Sequence, residues 1–305
     1  MSRTRFRPDH GLAVRMGVTM FLLGLLYVAF VGALIAVQVS WLIIVVVVGG
    51  FFLLQYFASD KIALFSMHAH EVTPEEAPEL HGVIDRLCAL ADMPKPRVAI
   101  ADTDIPNAFA TGRSPDKAVV CATTGILRRL DREELEGVLA HELSHVAHRD
   151  VAVMTIASFL GVLAGFITRM AFYSQLFGGG GRRDDRDNSA AIVALVMIIS
   201  MVVYALSFLL IRALSRYREL SADRSGALLT GRPSSLASAL TKVTGEMGRI
   251  PTNDLRKAEP LNAFFFTPAV ASGVSLSSLF STHPSLEQRL EQLGRISAEL
   301  GQARV

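Results

Sequence analysis

The sequence predicts a mainly α-helical membrane protein, in which four transmembrane helices accompany a helical domain with a small β-sheet. The first observation is composition: 51% of the 305 residues are hydrophobic and 19% are charged, with a mean hydropathy of +0.39. This balance is too apolar for an ordinary soluble enzyme. The second observation is a set of apolar runs long enough to cross a bilayer. The third is the pattern of helix and strand signals between those runs.

Two apolar runs near the N-terminus predict a transmembrane hairpin. Met16–Val37 carries no charge, and Trp41–Ala58 follows after a short linker. A signal peptide is the competing interpretation, but its apolar region would be shorter and would end at a small-residue cleavage site. Arginines precede the first run and Lys61 follows the second. The positive-inside rule therefore predicts that the N-terminus and the segment after residue 58 are cytoplasmic.

A second pair of apolar runs, Val151–Thr168 and Ala190–Ile211, predicts the third and fourth spans. Buried helices of a large soluble core are the alternative for this pair. The intervening loop, residues 178–189, is rich in Gly, Arg and Asp and is expected to be flexible. Its arginines weigh against an outside position, whereas the basic segment Arg212–Arg224 agrees with a return to the cytoplasm. We assign no function to this loop.

The segment between the hairpin and the third span reads as a soluble domain. A helix is predicted from Thr73 to about Asp92, and strands are predicted at Arg97–Ala101 and Ala118–Thr123. We expect a hairpin plus one more strand. The stretch Asn107, Ala108, Phe109 and Ala110 is either an ordinary turn or an extended edge strand, to which a peptide substrate can add by backbone hydrogen bonds.

Residues 131–150 predict a helix with a metal-binding motif. Asp131 and Glu134 have the spacing of a capping box, and an apolar face accompanies the motif, formed by Leu135, Val138, Leu139, Leu143 and Val146. Random placement of residues gives such a motif about once in a hundred chains of this composition. The alternative is a surface helix with two solvated histidines, which the cap and the apolar face argue against.

The motif is H-E-x-x-H, formed by His141, Glu142 and His145. Helix positions i and i+4 share a face, so both imidazoles can reach one ion, while Glu142 is rotated by about 100° and lies beside it. Two histidines holding zinc next to a carboxylate that takes a proton from water is the arrangement of a zinc hydrolase. We therefore predict one zinc ion per subunit.

A catalytic zinc site needs a third protein ligand, and Glu219 is the best candidate. Glu219 and Asp223 are four residues apart, on one face of a helix that continues the fourth span. Glu219 can bind zinc, while Asp223 can hydrogen-bond the far nitrogen of a zinc histidine. The alternative is a solvated acidic pair. Because His145 and Glu219 flank spans three and four, we expect both metal-bearing helices to extend transmembrane helices, with the zinc about 10 Å from the membrane surface.

The remaining polar candidates lie after the predicted helix Pro233–Met247 and beside the H-E-x-x-H motif. His283 precedes a helix predicted at 285–300, and it or Arg289 can stabilise an oxyanion, unless His283 is only a surface residue near the helix start. His148 follows the motif by one turn, and a surface or supporting position is favoured over a ligand. Residue spacing alone does not determine the role of His283 or of His148.

Charge and cysteine content exclude two classes of function. The net charge of +2 gives no basic field of the kind that binds nucleic acid. Cys88 and Cys121 are far apart and in no CxxC pair, which does not describe a disulfide framework and fits a reducing compartment. Both thiols are expected to be buried.

Four segments, HELSHVAHRD, SRYRELSAD, PNAFATG and LFSTHPS, resemble the HtpX membrane metalloproteases and, more broadly, the CAAX prenyl protease group of zinc peptidases. The resemblance covers nearly the whole chain. It implies a gluzincin fold, zinc ligands His141, His145 and Glu219, Glu142 as catalytic base, and a functional His283. It also implies stress-related quality control, in which misfolded membrane proteins or unfolded polypeptides are cleaved on the cytoplasmic side.

We therefore predict a multi-pass zinc endopeptidase of the cell membrane (the inner or plasma membrane) with a cytoplasmic catalytic domain, possible self-association and no nucleic-acid partner. The alternatives are a CAAX-type processing protease and a catalytically silent zinc-binding scaffold or chaperone. An intramembrane protease is disfavoured because the charged run before the motif is costly at membrane depth. The predicted divisions are the first hairpin, the first part of the protease domain, the second span pair and the second part of the protease domain, at residues 1–60, 61–150, 151–212 and 213–305.

Overall fold

The computed structural model describes residues 9–302, apart from 37–41, 43–44, 113, 151–152, 155–156, 160, 162, 168, 170–182 and 248–282. The chain divides into two compact units. Unit 1 is formed by Met1–Ala13, Ala58–Ala152 and Ser215–Val305, and unit 2 by Val14–Phe57 and Val153–Leu214. Each unit is therefore assembled from segments that are distant in sequence.

Helices dominate both units, as predicted. They are α1 (His10–Ala36), α2 (Gly50–Ser66), α3 (Pro78–Ala91), α4 (Thr124–Arg129), α5 (Arg132–Ala147), α6 (Arg183–Thr230), α7 (Pro233–Met247) and α8 (Leu286–Gln302). A π-helical segment, Val45–Gly49, runs directly into α2, and a short 3-10 turn covers Pro115–Lys117.

A four-stranded sheet lies in unit 1. Its strands are β1 (Ala69–Glu71), β2 (Arg97–Ala101), β3 (Ala108–Thr111) and β4 (Val119–Thr123), in the order β1-β2-β4-β3. β3 is antiparallel to β4 as the predicted hairpin requires, and β2 is parallel to β4. The stretch around Asn107–Ala110 thus forms an edge strand rather than an ordinary turn.

The core of unit 1 surrounds α5. Every residue of α5 from Glu134 to Val146 is buried, and α5 packs on α3, α7 and β3. Apolar side chains of these elements and of α8 form one cluster, which includes Leu87, Leu139, Leu236 and Leu293. The helix that carries the H-E-x-x-H motif is therefore the central helix of the unit and is held from all sides.

Unit 2 contains the apolar segments. Among the described residues, His10–Ala36 and Ala191–Thr230 are long and apolar enough to cross a membrane, and Val45–Leu54 and Ala157–Ile167 are shorter apolar helices. These four lie within or overlap the four predicted spans, and parts of the first three predicted spans fall outside the described residues. Helix α6 begins at Arg183, so the second half of the predicted loop 178–189 is helical.

Two local predictions were wrong, and one strand was missed. The helix predicted from Thr73 begins at Pro78, because Pro78 keeps Ala77 out of the helical region (φ −137°, ψ 62°) and residues 74–76 form a turn. Strand β1 was not predicted. Helix α5 ends at Ala147, and Arg149 has a left-handed backbone (φ 57°). The H-E-x-x-H helix therefore does not run unbroken into the third predicted span, whereas α6 does carry the fourth span through to Glu219.

Candidate metal centre

Helix α5 presents the H-E-x-x-H motif from a well-defined start. The Asp131 side chain accepts hydrogen bonds from the backbone of Glu133 and Glu134, and the Glu134 side chain accepts one from the Asp131 backbone. This is the predicted capping box, which satisfies N–H groups that the helix itself leaves unpaired. Glu134 also accepts hydrogen bonds from Ser238 and Lys242 of α7. The cap thus ties α5 to its neighbour in the core.

Helix α6 crosses α5 at very short range. A side chain at Gly226 would bring its Cβ within 2.9 Å of the His141 backbone nitrogen and 3.2 Å of the Ala140 carbonyl carbon. Only glycine allows this approach. The close crossing brings Glu219, two turns before Gly226, beside the motif histidines.

Three side-chain groups converge between these helices. The Nε2 atoms of His141 and His145 lie 3.2 Å apart, and oxygens of Glu219 lie 3.5 Å from the former and 3.6 Å from the latter. Donors bound tetrahedrally to zinc at usual bond lengths are separated by roughly 3.3 Å. All three residues are buried, and within the described part of the chain they form the one group with metal-site spacing. The residues present therefore fit a metal ion.

The far nitrogen of each imidazole lies against a carboxylate. His141 Nδ1 is 2.9 Å from Asp223 Oδ1, and His145 Nδ1 is 2.9 Å from Asp150 Oδ2. An ionised carboxylate only accepts hydrogen bonds, so each ring carries a proton on Nδ1 and directs Nε2 inward. With two Nε2 atoms 3.2 Å apart, the site is built to hold positive charge between the rings.

The neighbouring groups also shift the pKa values of His141 and Glu219. Burial disfavours a charged imidazole, but Asp223 and Glu219 outweigh it and raise the pKa of His141 to about 9. Burial alone would raise the pKa of Glu219, yet His283, His141 and His145 hold it well below its usual range. Glu219 is thus an anionic ligand candidate, and a metal that binds Nε2 of His141 displaces the proton that this atom carries when the ring is charged.

Asp223 lies beside the far nitrogen of His141, and its role in supporting a metal ligand stays a prediction. Its two oxygens lie 2.7 Å from Arg289 Nε and Arg289 Nη2, in a buried bidentate pair, while Oδ1 also contacts His141. Arg289, on α8, is 2% exposed. The structure therefore places Arg289 behind Asp223, where it supports His141 through that carboxylate.

Asp150 and Arg218 are site residues that sequence reasoning missed. Asp150 Oδ2 accepts hydrogen bonds from His145 Nδ1 and Arg218 Nε, both at 2.9 Å. Burial would raise the pKa of Asp150, but Arg218 and His145 lower it below its usual value. Asp150 follows the left-handed turn at Arg149, where helical spacing no longer indicates which residues meet. In the sequence, the basic segment 212–224 indicates only membrane topology, so no pattern predicted the contact between Arg218 and Asp150.

Glu142 lies between the metal cluster and the edge strand. Its Oε2 accepts a hydrogen bond of 3.0 Å from the Ala110 backbone N–H. Burial raises the pKa of Glu142, and the charge of Glu219 acts in the same direction. A raised pKa suits a group that must gain and lose a proton near neutral pH.

His283 also reaches the cluster. It is buried, and its Nδ1 lies 3.1 Å from Glu219 Oε2. His148, in contrast, caps the C-terminus of α5, and the candidate metal group leaves it out. Cys88 and Cys121 are both buried, as predicted, and neither forms a disulfide.

Comparisons with known proteins agree with this geometry. Residues 74–297 match the model of Peptidase family M48. The chain is 68% identical over 301 residues to Protease HtpX homolog 1 of Streptomyces coelicolor, covering 99% of this chain and 98% of the relative. It is 54% identical to Protease HtpX homolog of Moorella thermoacetica, covering 99% and 100%.

A similar fold occurs in the crystal structure of S. mikatae Ste24p, with a TM-score of 0.51, 17% identity, and coverage of 93% of this chain and 66% of that one. At this identity the likeness concerns the fold alone. The family match and the long, highly identical alignments show that the chain belongs to peptidase family M48 and is a metalloprotease of the HtpX type.

Proposed function

We propose that this metalloprotease is a zinc-dependent endopeptidase of the cell membrane, which cleaves misfolded or damaged membrane proteins on the cytoplasmic side. The observation that carries the proposal is the convergence of His141, His145 and Glu219 beside Glu142 and an edge strand. Two imidazoles and a carboxylate are the ligand set of catalytic zinc sites that leave a position open. We assign the three convergent residues as zinc ligands.

Zinc bound there would supply the Lewis acidity that activates water and polarises a peptide carbonyl. Glu142 accepts the proton of the attacking water and passes it to the leaving amine. The hydrogen bond from Ala110 to Oε2 fixes the carboxylate and leaves Oε1 for this proton. His283 donates a hydrogen bond to the developing oxyanion, and its position beside Glu219 supports this role.

The outer edge of β3 binds the substrate in extended form. Thr123 N donates a hydrogen bond to Asn107 O. The backbone N–H and C=O groups of residues 107, 109 and 111 therefore face β4, and those of residues 108 and 110 face the outer edge of the sheet. The outward Ala110 N–H is held by Glu142. The N–H and C=O of Ala108 lie on the same outer edge. Ala108 is buried in this structure, so a peptide displaces the groups that cover it when it adds to the sheet by strand pairing. Such pairing recognises the substrate through main-chain hydrogen bonds, so it suits unfolded polypeptides of varied sequence.

Membrane attachment explains the substrate class. The helices His10–Ala36 and Ala191–Thr230 are apolar enough to span a bilayer, and large apolar side chains on them are exposed, among them Phe21, Val28 and Ile198. Exposed apolar surface of this extent suits lipid contact. The basic residues that flank the predicted spans support a cytoplasmic catalytic domain.

The test uses full-length protein in lipid nanodiscs with fluorescent casein as an unfolded substrate. We expect Glu142→Gln to lower the cleavage rate by about 10²–10⁴ and to keep the zinc content of the wild type. The matched control is Glu136→Gln, which removes another buried carboxylate of α5, one that pairs with Arg86. Its rate should stay near that of the wild type.

Two results contradict the proposal. A Glu142→Gln protein that cleaves as fast as the wild type overturns the assigned mechanism. A wild-type protein that retains zinc but cleaves neither casein nor a misfolded membrane protein indicates a zinc-binding scaffold instead.

A further inference from the structure

His145 has a support of its own, separate from the one that holds His141. The support consists of Asp150, which is 1% exposed, and Arg218 of α6. One carboxylate oxygen of Asp150 accepts both the His145 Nδ1–H and the Arg218 Nε–H, at 2.9 Å each. The arrangement parallels that of His141, Asp223 and Arg289. Each motif imidazole is thus backed by a buried aspartate, and each aspartate by a buried or nearly buried arginine.

The carboxylate restricts both the proton and the orientation of the His145 ring. Since an ionised carboxylate only accepts, the ring proton stays on Nδ1 and the Nε2 lone pair faces His141 and Glu219. Without this partner the ring is free to carry its proton on Nε2, which cannot then bind a metal. A hydrogen bond to the far nitrogen also raises the basicity of a ligand imidazole.

Arg218 links the two ligand-bearing segments. It directly precedes Glu219 in sequence, and its Nη2 lies 4.0 Å from Glu219 Oε1. By binding Asp150 it connects α6 to the chain just beyond α5. A shift of either segment would therefore disturb His145 and Glu219 together.

The local backbone is shaped for this contact. Arg149 adopts φ 57°, a left-handed conformation that residues with a side chain rarely adopt. This turn ends α5 and returns the chain so that Asp150 lies beside a histidine five positions earlier. Such conformations persist where the surrounding structure over-determines them.

We propose that Asp150, held by Arg218, is a positioning residue of the metal site: it fixes the His145 tautomer and keeps Nε2 directed at the metal. The proposal rests on the zinc site proposed above. A purely structural ion pair would stabilise the turn after α5 and leave metal affinity unchanged. The two roles therefore differ in a measurable property other than catalysis.

The experiment measures metal affinity on full-length protein by competition with a chromophoric chelator, and the visible spectrum of the Co²⁺-substituted protein. We expect Asp150→Asn to weaken zinc binding by about 10–100-fold and to shift the Co²⁺ bands. Arg218→Gln should weaken it in the same direction. The double variant should lose less than the product of the two single effects, because Arg218 acts in part through Asp150, besides its own contacts with His145 and Glu219.

The matched controls are Glu136→Gln and Arg86→Gln. They remove the two partners of an ion pair between the buried Glu136 of α5 and the half-exposed Arg86 of α3, neither of which belongs to the group of convergent donors. Both should bind zinc with the wild-type affinity. If Asp150→Asn is recovered unfolded, Arg218→Gln is the deciding variant, since it removes the arginine that holds Asp150 and leaves the Asp150 carboxylate in place.

The inference is overturned if Asp150→Asn binds zinc with wild-type affinity and has an unchanged Co²⁺ spectrum. If Asp150→Asn does not fold, the same results for Arg218→Gln overturn it. The outcome is distinct from failure of the proposed function. If wild-type protein binds no stoichiometric zinc, or if His145→Ala binds it as tightly as the wild type, the zinc site itself is wrong. If the wild type binds zinc and only the Asp150–Arg218 variants behave normally, the site stands and this support does not.

Discussion

His283 contacts Glu219 from outside the group of three convergent donors, with 3.1 Å between Nδ1 and Oε2. A residue in this position is either a further ligand or a group that acts on the substrate. We expect His283→Ala to lower kcat by about 10²–10³, the usual effect of removing an oxyanion donor, with little change in KM. Zinc content should stay at one ion per chain. Casein-peptide kinetics and metal analysis on the same preparation measure both quantities.

His148→Ala is the control for the His283 variant. His148 caps α5 a few residues beyond the motif, so its loss should change neither kcat nor zinc content. Loss of zinc in His283→Ala would make His283 a ligand, and an unchanged kcat would remove it from the chemistry.

Single residues differ in how far the sequence predicts them. The sequence predicts the convergence of His141, His145 and Glu219, because helical spacing relates the first two and elimination leaves the third. Asp223 was predicted by the same spacing from Glu219. Asp150 was missed because its contact depends on one left-handed residue after the helix, which a periodic pattern does not encode.

At the scale of secondary structure, β3 is the element with the most direct link to substrate. Ala108 faces the outer edge, so Ala108→Pro removes one outward N–H and no bond to β4. We expect KM for casein-derived peptides to rise while zinc affinity stays unchanged. Steady-state kinetics over a range of peptide concentrations separate KM from kcat.

Ala108→Gly is the matched control, since it keeps the N–H and changes the same side chain. It should have a KM close to that of the wild type. Equal KM values for the proline and glycine variants would show that substrate does not pair with this edge.

The elements were predicted well where the signal is local. The capping box defined the start of α5, and the hydrophobic run predicted the middle of α6 but neither of its ends. The sheet was only partly predictable, because the parallel pairing of β2 with β4 depends on how α3 and the following segments pack, and β1 is too short to show a pattern. The start of α3 was misplaced because two prolines, Pro74 and Pro78, offer alternative first turns.

At the scale of the whole molecule, the sidedness of the membrane is the main prediction. Ser297 is exposed on α8, and Ser297→Cys should react with a membrane-impermeant maleimide in inverted vesicles and not in intact cells. Ser189→Cys, between the predicted third and fourth spans, should show the opposite pattern.

The wild-type protein, which has only its two native cysteines, is the background control for labelling. Burial raises the pKa of Cys88 to about 11 and that of Cys121 to about 12, so both remain unreactive thiols at neutral pH. Labelling of Ser297→Cys from outside intact cells would place the catalytic domain outside. Labelling of both variants from the same side would contradict four spans.

The order of the segments in unit 1 also bears on how the enzyme is made. During synthesis His141, Glu142 and Asp150 leave the ribosome early, whereas Glu219, and later His283 and Arg289, follow after the fourth apolar run. A growing chain therefore holds the base and two imidazoles before it holds Glu219, the third convergent donor, or the arginines Arg218 and Arg289. We expect a chain that stops before Glu219 to lack cleavage activity, because the proposed zinc site then has only two of its three protein ligands.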